Sequence, residues 1–238
     1  MRPVTLLHIA DVHLGLNSAP DGGLEERAFA AAMDLAIDAD VDAVLIVGDL
    51  FDHTRVSDDL LAWTAKELAR VERPVVLLVG NHDALDDNSV HHRFRVVERC
   101  PNVILVADPD GELVEVPGTD VVVWGRGMVR HERAYKPLAG VPEKPADRWG
   151  VVAAHGLVLR DDRPSHHSSP MRPAELDAIE WDYVALGHHH GYDVIREAPT
   201  PVVYPGATAR SLRGEPGAVV VRFSEDAGTG FEWVPLAV

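Results

Sequence analysis

Five short apolar runs in this chain end on side chains of the kind that hold metal ions. Residues 4–9 lead into Asp11-Val12-His13, residues 43–47 into Gly48-Asp49-Leu50-Phe51-Asp52, and residues 74–79 into Gly80-Asn81-His82-Asp83. Further on, residues 151–154 lead into His155-Gly156, and residues 183–186 into Gly187-His188-His189-His190. Short apolar runs bounded by turn residues read as buried strands. In open α/β sheets, functional groups collect outside the carboxyl ends of such strands. The pattern therefore predicts a sheet that delivers Asp, Asn and His side chains to one rim.

Spacing strengthens the pattern. Residues two apart on extended backbone point the same way, so Asp11 and His13, and likewise His188 and His190, can converge. Glycines at 48, 80, 156 and 187 allow tight turns and close approach to an ion or substrate. Carboxylate, amide and imidazole ligands together suit borderline divalent cations such as manganese, iron or zinc. Each motif alone has an ordinary reading as a turn or a surface histidine. Five of them at successive strand ends do not. His8 lies inside the first strand and reads as a satisfied core histidine. His91, His92, His131, His166 and His167 lack such a setting and read as loop or surface residues.

Between the motifs, residues 24–39 have helical periodicity, and Ser57 is placed to cap a helix running to about residue 71. Strand and helix alternate through the first half, which predicts a largely parallel sheet. The second half is a series of short strands: 103–106, 113–116, 121–124, 151–154, 183–186, 192–196, 202–204, 218–223 and 231–235. Two longer stretches, 126–148 and 157–170, read as loops able to shape a site.

Composition sets limits on function. No apolar run approaches the ~18 residues of a membrane span, and residues 4–10 lack the form of a signal peptide. A lone cysteine, Cys100, rules out an intrachain disulfide and leaves the cytoplasm as the default location. The net charge of −16 opposes broad electrostatic capture of nucleic acid. The 13 histidines form no terminal tag.

The ordered set Asp11-x-His13, Gly48-Asp49-x-x-Asp52, Gly80-Asn81-His82-Asp83, His155 and Gly187-His188-x-His190 resembles the calcineurin-like metallophosphoesterases over residues 8–190. Stretches between the motifs resemble the SbcD-type DNA repair exonucleases. They are His8-Ile-Ala-Asp-Val-His-Leu-Gly15, Gly48-Asp-Leu-Phe-Asp52, Pro173-Ala-Glu-Leu176, Asp182-Tyr-Val-Ala-Leu-Gly187 and Tyr204-Pro-Gly206. The resemblance implies an α/β fold, a four-layer sandwich of two mixed β-sheets flanked by helices. It implies two divalent metal ions, manganese first, with iron or zinc as alternatives. Asp11, His13, Asp49 and His190 match the ligands of one ion. Asp49, Asn81, His155 and His188 match those of the other, with Asp49 bridging. His82 matches the residue that assists the leaving group, and Asp83 the acid that orients it; Asp52 is a further candidate for fixing the ring.

The activity implied is hydrolysis of phosphate esters, foremost phosphodiesters, by a hydroxide held between the ions. DNA is one candidate substrate and a small nucleotide ester the other. A non-catalytic scaffold on the same fold disagrees with the full ligand set and His82. Arg126, Arg130 and Arg210 are candidates to touch phosphate, although solvated surface is the reading we favour for them. SbcD-type nucleases carry a DNA-capping domain and a helical segment for an ATPase partner beyond the core. The 48 residues after His190 read as closing strands. The expectation is therefore one metallophosphoesterase domain over residues 1–238, with neither capping domain, ATPase partner nor membrane contact.

Overall fold

A computed structural model describes residues 1–17, 23–132, 134–161, 168–209 and 214–238. His166, His167 and Arg210, singled out above, lie outside the described residues. The chain begins with β1 (Val4–Ile9), α1 (Leu24–Asp38), β2 (Ala43–Val47), α2 (Asp58–Arg70) and β3 (Val75–Leu78). Two short helices, α3 (Val90–Phe94) and α4 (Val96–Arg99), lead to β4 (Val103–Val106), β5 (Glu112–Glu115) and β6 (Val121–Gly125). Next come β7 (Trp149–His155), β8 (Leu157–Val158), β9 (Pro170–Met171), α5 (Pro173–Asp177) and β10 (Tyr183–Gly187). The order closes with β11 (Tyr192–Arg196), β12 (Val202–Pro205), β13 (Gly217–Ser224) and β14 (Gly228–Pro235).

Two six-stranded sheets result, ordered β14-β13-β1-β2-β3-β4 and β11-β12-β10-β7-β6-β5. In the first, β1 to β4 run parallel and β13 antiparallel to β1. In the second, β12, β10, β7 and β6 run parallel, with β11 and β5 as antiparallel edges. Both sheets are mixed, as expected. The inner faces meet in one apolar layer that includes Leu6, Leu45, Leu78, Val151, Tyr183 and Val221. Strands buried on both faces need apolar residues at every position, which explains the unbroken runs in the sequence.

The helices cover the first sheet well. Phe29 and Met33 of α1, Leu61 and Leu68 of α2, and Phe94 of α3 fill the outer layer. Each fully buried side chain of this size contributes roughly 1.5–3 kcal/mol. Ser57 caps α2 by accepting a hydrogen bond from the Leu60 amide at 3.1 Å. The outer face of the second sheet is covered more thinly, by Leu176 of α5 and by Leu138 and Val141 from the 126–148 stretch. That stretch is an irregular covering layer, tied down by the Trp181 indole N–H, which donates to the Pro142 carbonyl at 2.9 Å. The 157–170 stretch starts and ends in the paired strands β8 and β9.

The placement of His91 in a surface loop is corrected. The residue is buried in α3, with Val90 and Phe94 turned into the same core. Ser89 caps this helix, and Arg95 at φ 48° ends it after 5 residues. A helix this short shows too little periodicity to be read from apolar spacing. His92 does lie at the surface, its Nε2 3.0 Å from the Asp86 carbonyl.

His8 is the core histidine expected. It is fully buried, donates from Nε2 to the Leu186 carbonyl at 3.2 Å, and accepts at Nδ1 from the Tyr183 hydroxyl at 3.1 Å. This pairing satisfies the neutral ring. Burial lowers the pKa to about 3 from an ordinary 6.5. The unfolded chain therefore binds a proton below pH 6.5 that the folded chain refuses. The stabilising effect is complete above 6.5 and is lost as pH falls toward 3. From pH 8 to pH 5 this one residue should cost about 2 kcal/mol of stability. The drop in denaturation free energy between those pH values should shrink by that amount in His8→Gln. An unchanged drop would rule this account out.

Candidate metal centre

The carboxyl ends of β1, β2, β3, β7 and β10 meet at one rim, and the loops that follow carry the expected residues. Backbone hydrogen bonds hold the loops together. Asp11 N donates to Gly48 O at 3.1 Å, and Val12 N and His13 N both donate to Asp49 O. The His188 amide donates to both carboxylate oxygens of Asp11, at 3.0 and 2.9 Å. Asp11, His13, Asp49 and His188 all have positive φ, at 52°, 55°, 54° and 97°. Non-glycine residues pay roughly 1–3 kcal/mol for such conformations, which cluster at functional sites. Here the strain turns the side chains off the strand direction and into a common space.

Two sets of ligand atoms lie side by side. In the first, His13 Nε2 is 3.2 Å from His190 Nε2, and His190 Nε2 is 3.8 Å from Asp11 Oδ1. In the second, the Asn81 side-chain oxygen is 3.1 Å from His155 Nε2 and 2.8 Å from His188 Nδ1. Asp49 stands between them, its Oδ2 3.3 Å from His155 Nε2 and 3.9 Å from His13 Nε2. Its other oxygen accepts the His82 amide at 2.8 Å. The structure thus brings together all seven side chains named as ligands from the sequence.

Neighbouring groups orient the rings. The His155 Nδ1–H donates to the Val47 carbonyl at 2.9 Å, which leaves Nε2 turned to the site. His13 Nδ1 lies 3.1 Å from Asp52 Oδ1, which in the same way leaves its own Nε2 facing the site. Gly48, at φ 85°, passes so near His155 that a Cβ there would overlap the imidazole. At Gly80 a Cβ would overlap the Asp49 carboxylate. These two glycines are demanded by close approach.

The electrostatics are those of ligand atoms pressed together. Burial is the largest cause pushing Asp11 up to about 7, and Asp49 adds to it against the pull of His155. Burial also works to raise Asp49, but the His155 charge and hydrogen bond hold it below the usual carboxylate range. His155 is opposed by burial yet raised to about 9 by Asp49. Burial lowers His188 to about 3 and His190 to about 4, which keeps both in the neutral form that ligates. Two buried carboxylates, an amide oxygen and neutral imidazoles converging on one space form a donor set that divalent cations satisfy. Asp11, His13 and His190 form one group with ligand atoms within 4.8 Å of one another, and Asp11, Asp49 and His155 another. The residues present fit such ions.

His82 stands at the edge, its side chain 41% exposed. Its Nδ1–H donates to the Asp52 backbone carbonyl at 2.8 Å, and Asp52 Oδ1 is 3.5 Å away. The expectation that Asp83 orients this ring is corrected. The Asp83 carboxylate is fully buried and accepts from Gly80 N, Leu50 N and Phe51 N at 2.7, 2.9 and 3.3 Å. His91 Nε2 lies 3.3 Å from it. Asp83 ties the loop after β2 to the loop after β3, and Asp52 is the acid beside His82. The sequence showed both acids at equal removes from the rim and gave no way to tell which faced inward.

His131 lies in an exposed loop, as read, yet close to the site. It is exposed and hydrogen-bonded to Ser168, and its pKa is lowered first by burial, with Asp49, His155 and His82 all close enough to act on it. Arg126 is half-buried and donates to the carbonyls of Pro109 and Lys136, so it braces the 126–148 stretch. Arg130 is exposed. Two of the quoted inter-motif stretches prove to be scaffolding. The Tyr204 hydroxyl donates to Gly156 O at 2.7 Å and accepts from Val158 N, and Asp182 accepts from Gly150 N and Lys144.

The two-sheet sandwich thus carries a rim of carboxylate, amide and imidazole side chains suited to divalent cations. Comparison with known sequences makes this specific: the profile of the calcineurin-like phosphoesterase family matches residues 4–192, and the chain belongs to that family. The DNA double-strand break repair protein Mre11 of Halobacterium salinarum is 29% identical over 94% of this chain and 57% of its own length. The uncharacterized metallophosphoesterase YhaO of Bacillus subtilis is 25% identical over 93% of this chain and 58% of its own. The chain thus spans somewhat over half the length of these two relatives. Among solved structures, the TT1561 protein of Thermus thermophilus superposes with a TM-score of 0.64 at 16% identity, covering 99% of this chain and 100% of that one. A structure described as a novel archaeal phosphodiesterase gives 0.55 at 16% identity, covering 98% and 99%. At such identities the likeness is one of fold. No helix among the described residues is long and apolar enough to cross a membrane.

Proposed function

We propose that this chain hydrolyses phosphodiesters with two divalent cations, manganese first, and that DNA is its substrate. Asp11, His13, Asp49 and His190 would hold one cation, and Asp49, Asn81, His155 and His188 the other. The observation that carries this reading is the position of Asp49 Oδ2 between His155 and His13, at 3.3 and 3.9 Å. When bound, such a pair of cations draws charge from the phosphoryl oxygens and acidifies a water so that it can attack phosphorus in line.

The chain's own residues do the rest. Asn81 adds an oxygen ligand without adding charge. Asp52 and Val47 fix the His13 and His155 rings, so that ligand geometry is set before a substrate arrives. His82, in its imidazolium form, donates from Nδ1 to the Asp52 carbonyl and from Nε2 to the departing oxygen, to which it hands the Nε2 proton. The relatives named for DNA double-strand break repair support nucleic acid as the diester. The net charge of −16 favours a second reading, a small nucleotide ester that needs no basic track.

The test is degradation of end-labelled single- and double-stranded oligonucleotides by the manganese-loaded protein, with metal-stripped protein as the blank. Metal-dependent shortening of the labelled strand is expected. Intact oligonucleotides together with cleavage of a small nucleotide diester would overturn DNA in favour of the second reading. Inertness toward both would overturn the phosphodiesterase reading itself.

A further inference from the structure

A groove of about 770 Å³ opens beside the candidate centre, on the outer face of the second sheet. His189, the residue between His188 and His190, is one of its lining residues. Leu159, residues 193–196 of β11 and Tyr204 of β12 also line it. The His189 and Tyr204 rings meet edge to face with centroids 5.3 Å apart, so the end nearest the centre has an aromatic wall.

The far side is unusual. Val194 pairs with Val203 and Arg196 with Val202, so Ile195 is the extra residue of a bulge in an edge strand. Bulges re-aim side chains and recur beside active sites. Here the bulge gives the groove an isoleucine that is 37% exposed. The rim is polar but balanced. Arg196 is paired with Asp177 at 3.1 Å, and the remaining rim charges are Arg160 and Asp193, of opposite sign.

These features select among occupants. A second phosphate would need net positive charge, which the balanced rim does not supply. An aliphatic chain would leave the Arg160 and Asp193 edges unanswered. A flat ring with apolar faces and an edge of hydrogen-bond donors and acceptors satisfies both parts. We infer that the groove is a subsite for the nucleobase of a nucleotide ester whose phosphorus lies at the metal rim, with Ile195 and the His189–Tyr204 pair as its walls. The inference rests on the phosphodiesterase reading above.

Two esters with one leaving group test it: thymidine 5′-(p-nitrophenyl phosphate) and methyl p-nitrophenyl phosphate. With manganese-loaded wild type, kcat/KM should favour the thymidine ester by about tenfold or more, in keeping with base–aromatic stacking. Ile195→Trp, which fills the groove, and Ile195→Asp, which makes it polar, should bring the ratio to within about twofold of unity while the methyl ester is turned over as before. A wild type without preference, or a preference that neither variant moves, overturns the subsite. If neither ester is hydrolysed, the phosphodiesterase reading fails, and the groove is then judged by titration with thymidine alone. Thymidine binding by wild type that Ile195→Trp abolishes keeps the subsite, and absence of binding overturns it.

Discussion

Asp49→Ala should lower turnover of any diester by roughly 10³-fold or more, equivalent to about 4 kcal/mol of barrier. Asp49 stands between the two proposed ligand groups, its Oδ2 3.3 Å from His155 Nε2 and 3.9 Å from His13 Nε2. Its loss leaves His155 without the carboxylate that raises its pKa, and leaves the His82 amide without its acceptor. Alanine introduces a further fault. Asp49 sits at φ 54°, where Asp and Asn are tolerated better than other side chains. Asp49→Asn separates the two effects, because it keeps the left-handed preference and the oxygen for His82 N but removes the charge. The asparagine variant should melt close to wild type and still lose most of its activity, with less than two equivalents of manganese retained after desalting. An asparagine variant with full metal content and full turnover would show that Asp49 bridges nothing.

Much of this candidate centre could be read from the chain because the side chains proposed as ligands follow immediately after strands that are apolar from end to end. Buried strands are conspicuous in sequence, and a polar side chain at the last step of one has few packing uses. Sheet order was less accessible, since nothing local to β13 says that it returns to pair with β1. The acids beneath the rim were harder still. Asp52 and Asp83 each follow a ligand loop by a few residues, and only the folded loops show that Asp83 binds three amides while Asp52 faces two histidines. His91 was misplaced because α3 spans little more than one turn. The Ser89 cap and the apolar pair Val90 and Phe94, four apart, were the signals that could have found it. The bulge at Ile195 leaves no local mark, because the extra residue is defined only against the register of β12.

His82→Ala should show a different loss, one that depends on the leaving group. The ring ligates neither group of atoms in the reading above, so the variant should hold manganese as wild type does. In that reading its part is to supply the Nε2 proton of its imidazolium form to the departing oxygen, with Nδ1–H held by the Asp52 carbonyl at 2.8 Å. An alkoxide leaving from a nucleotide linkage needs that proton badly, and general acids typically contribute about 10²–10⁴-fold. A p-nitrophenolate leaves readily without one. Turnover of an oligonucleotide or dinucleotide should therefore fall by about 10²-fold or more, while that of a p-nitrophenyl ester falls by about tenfold at most. Asp52→Asn should copy the pattern in weaker form, because it keeps the backbone carbonyl and alters only the carboxylate 3.5 Å from His82 Nδ1. The same carboxylate orients His13 at 3.1 Å, so a small loss of metal affinity is expected in Asp52→Asn and not in His82→Ala. Equal losses on both ester types in His82→Ala would instead assign the ring to binding the phosphoryl group, since that contribution is shared by every ester whatever its leaving group.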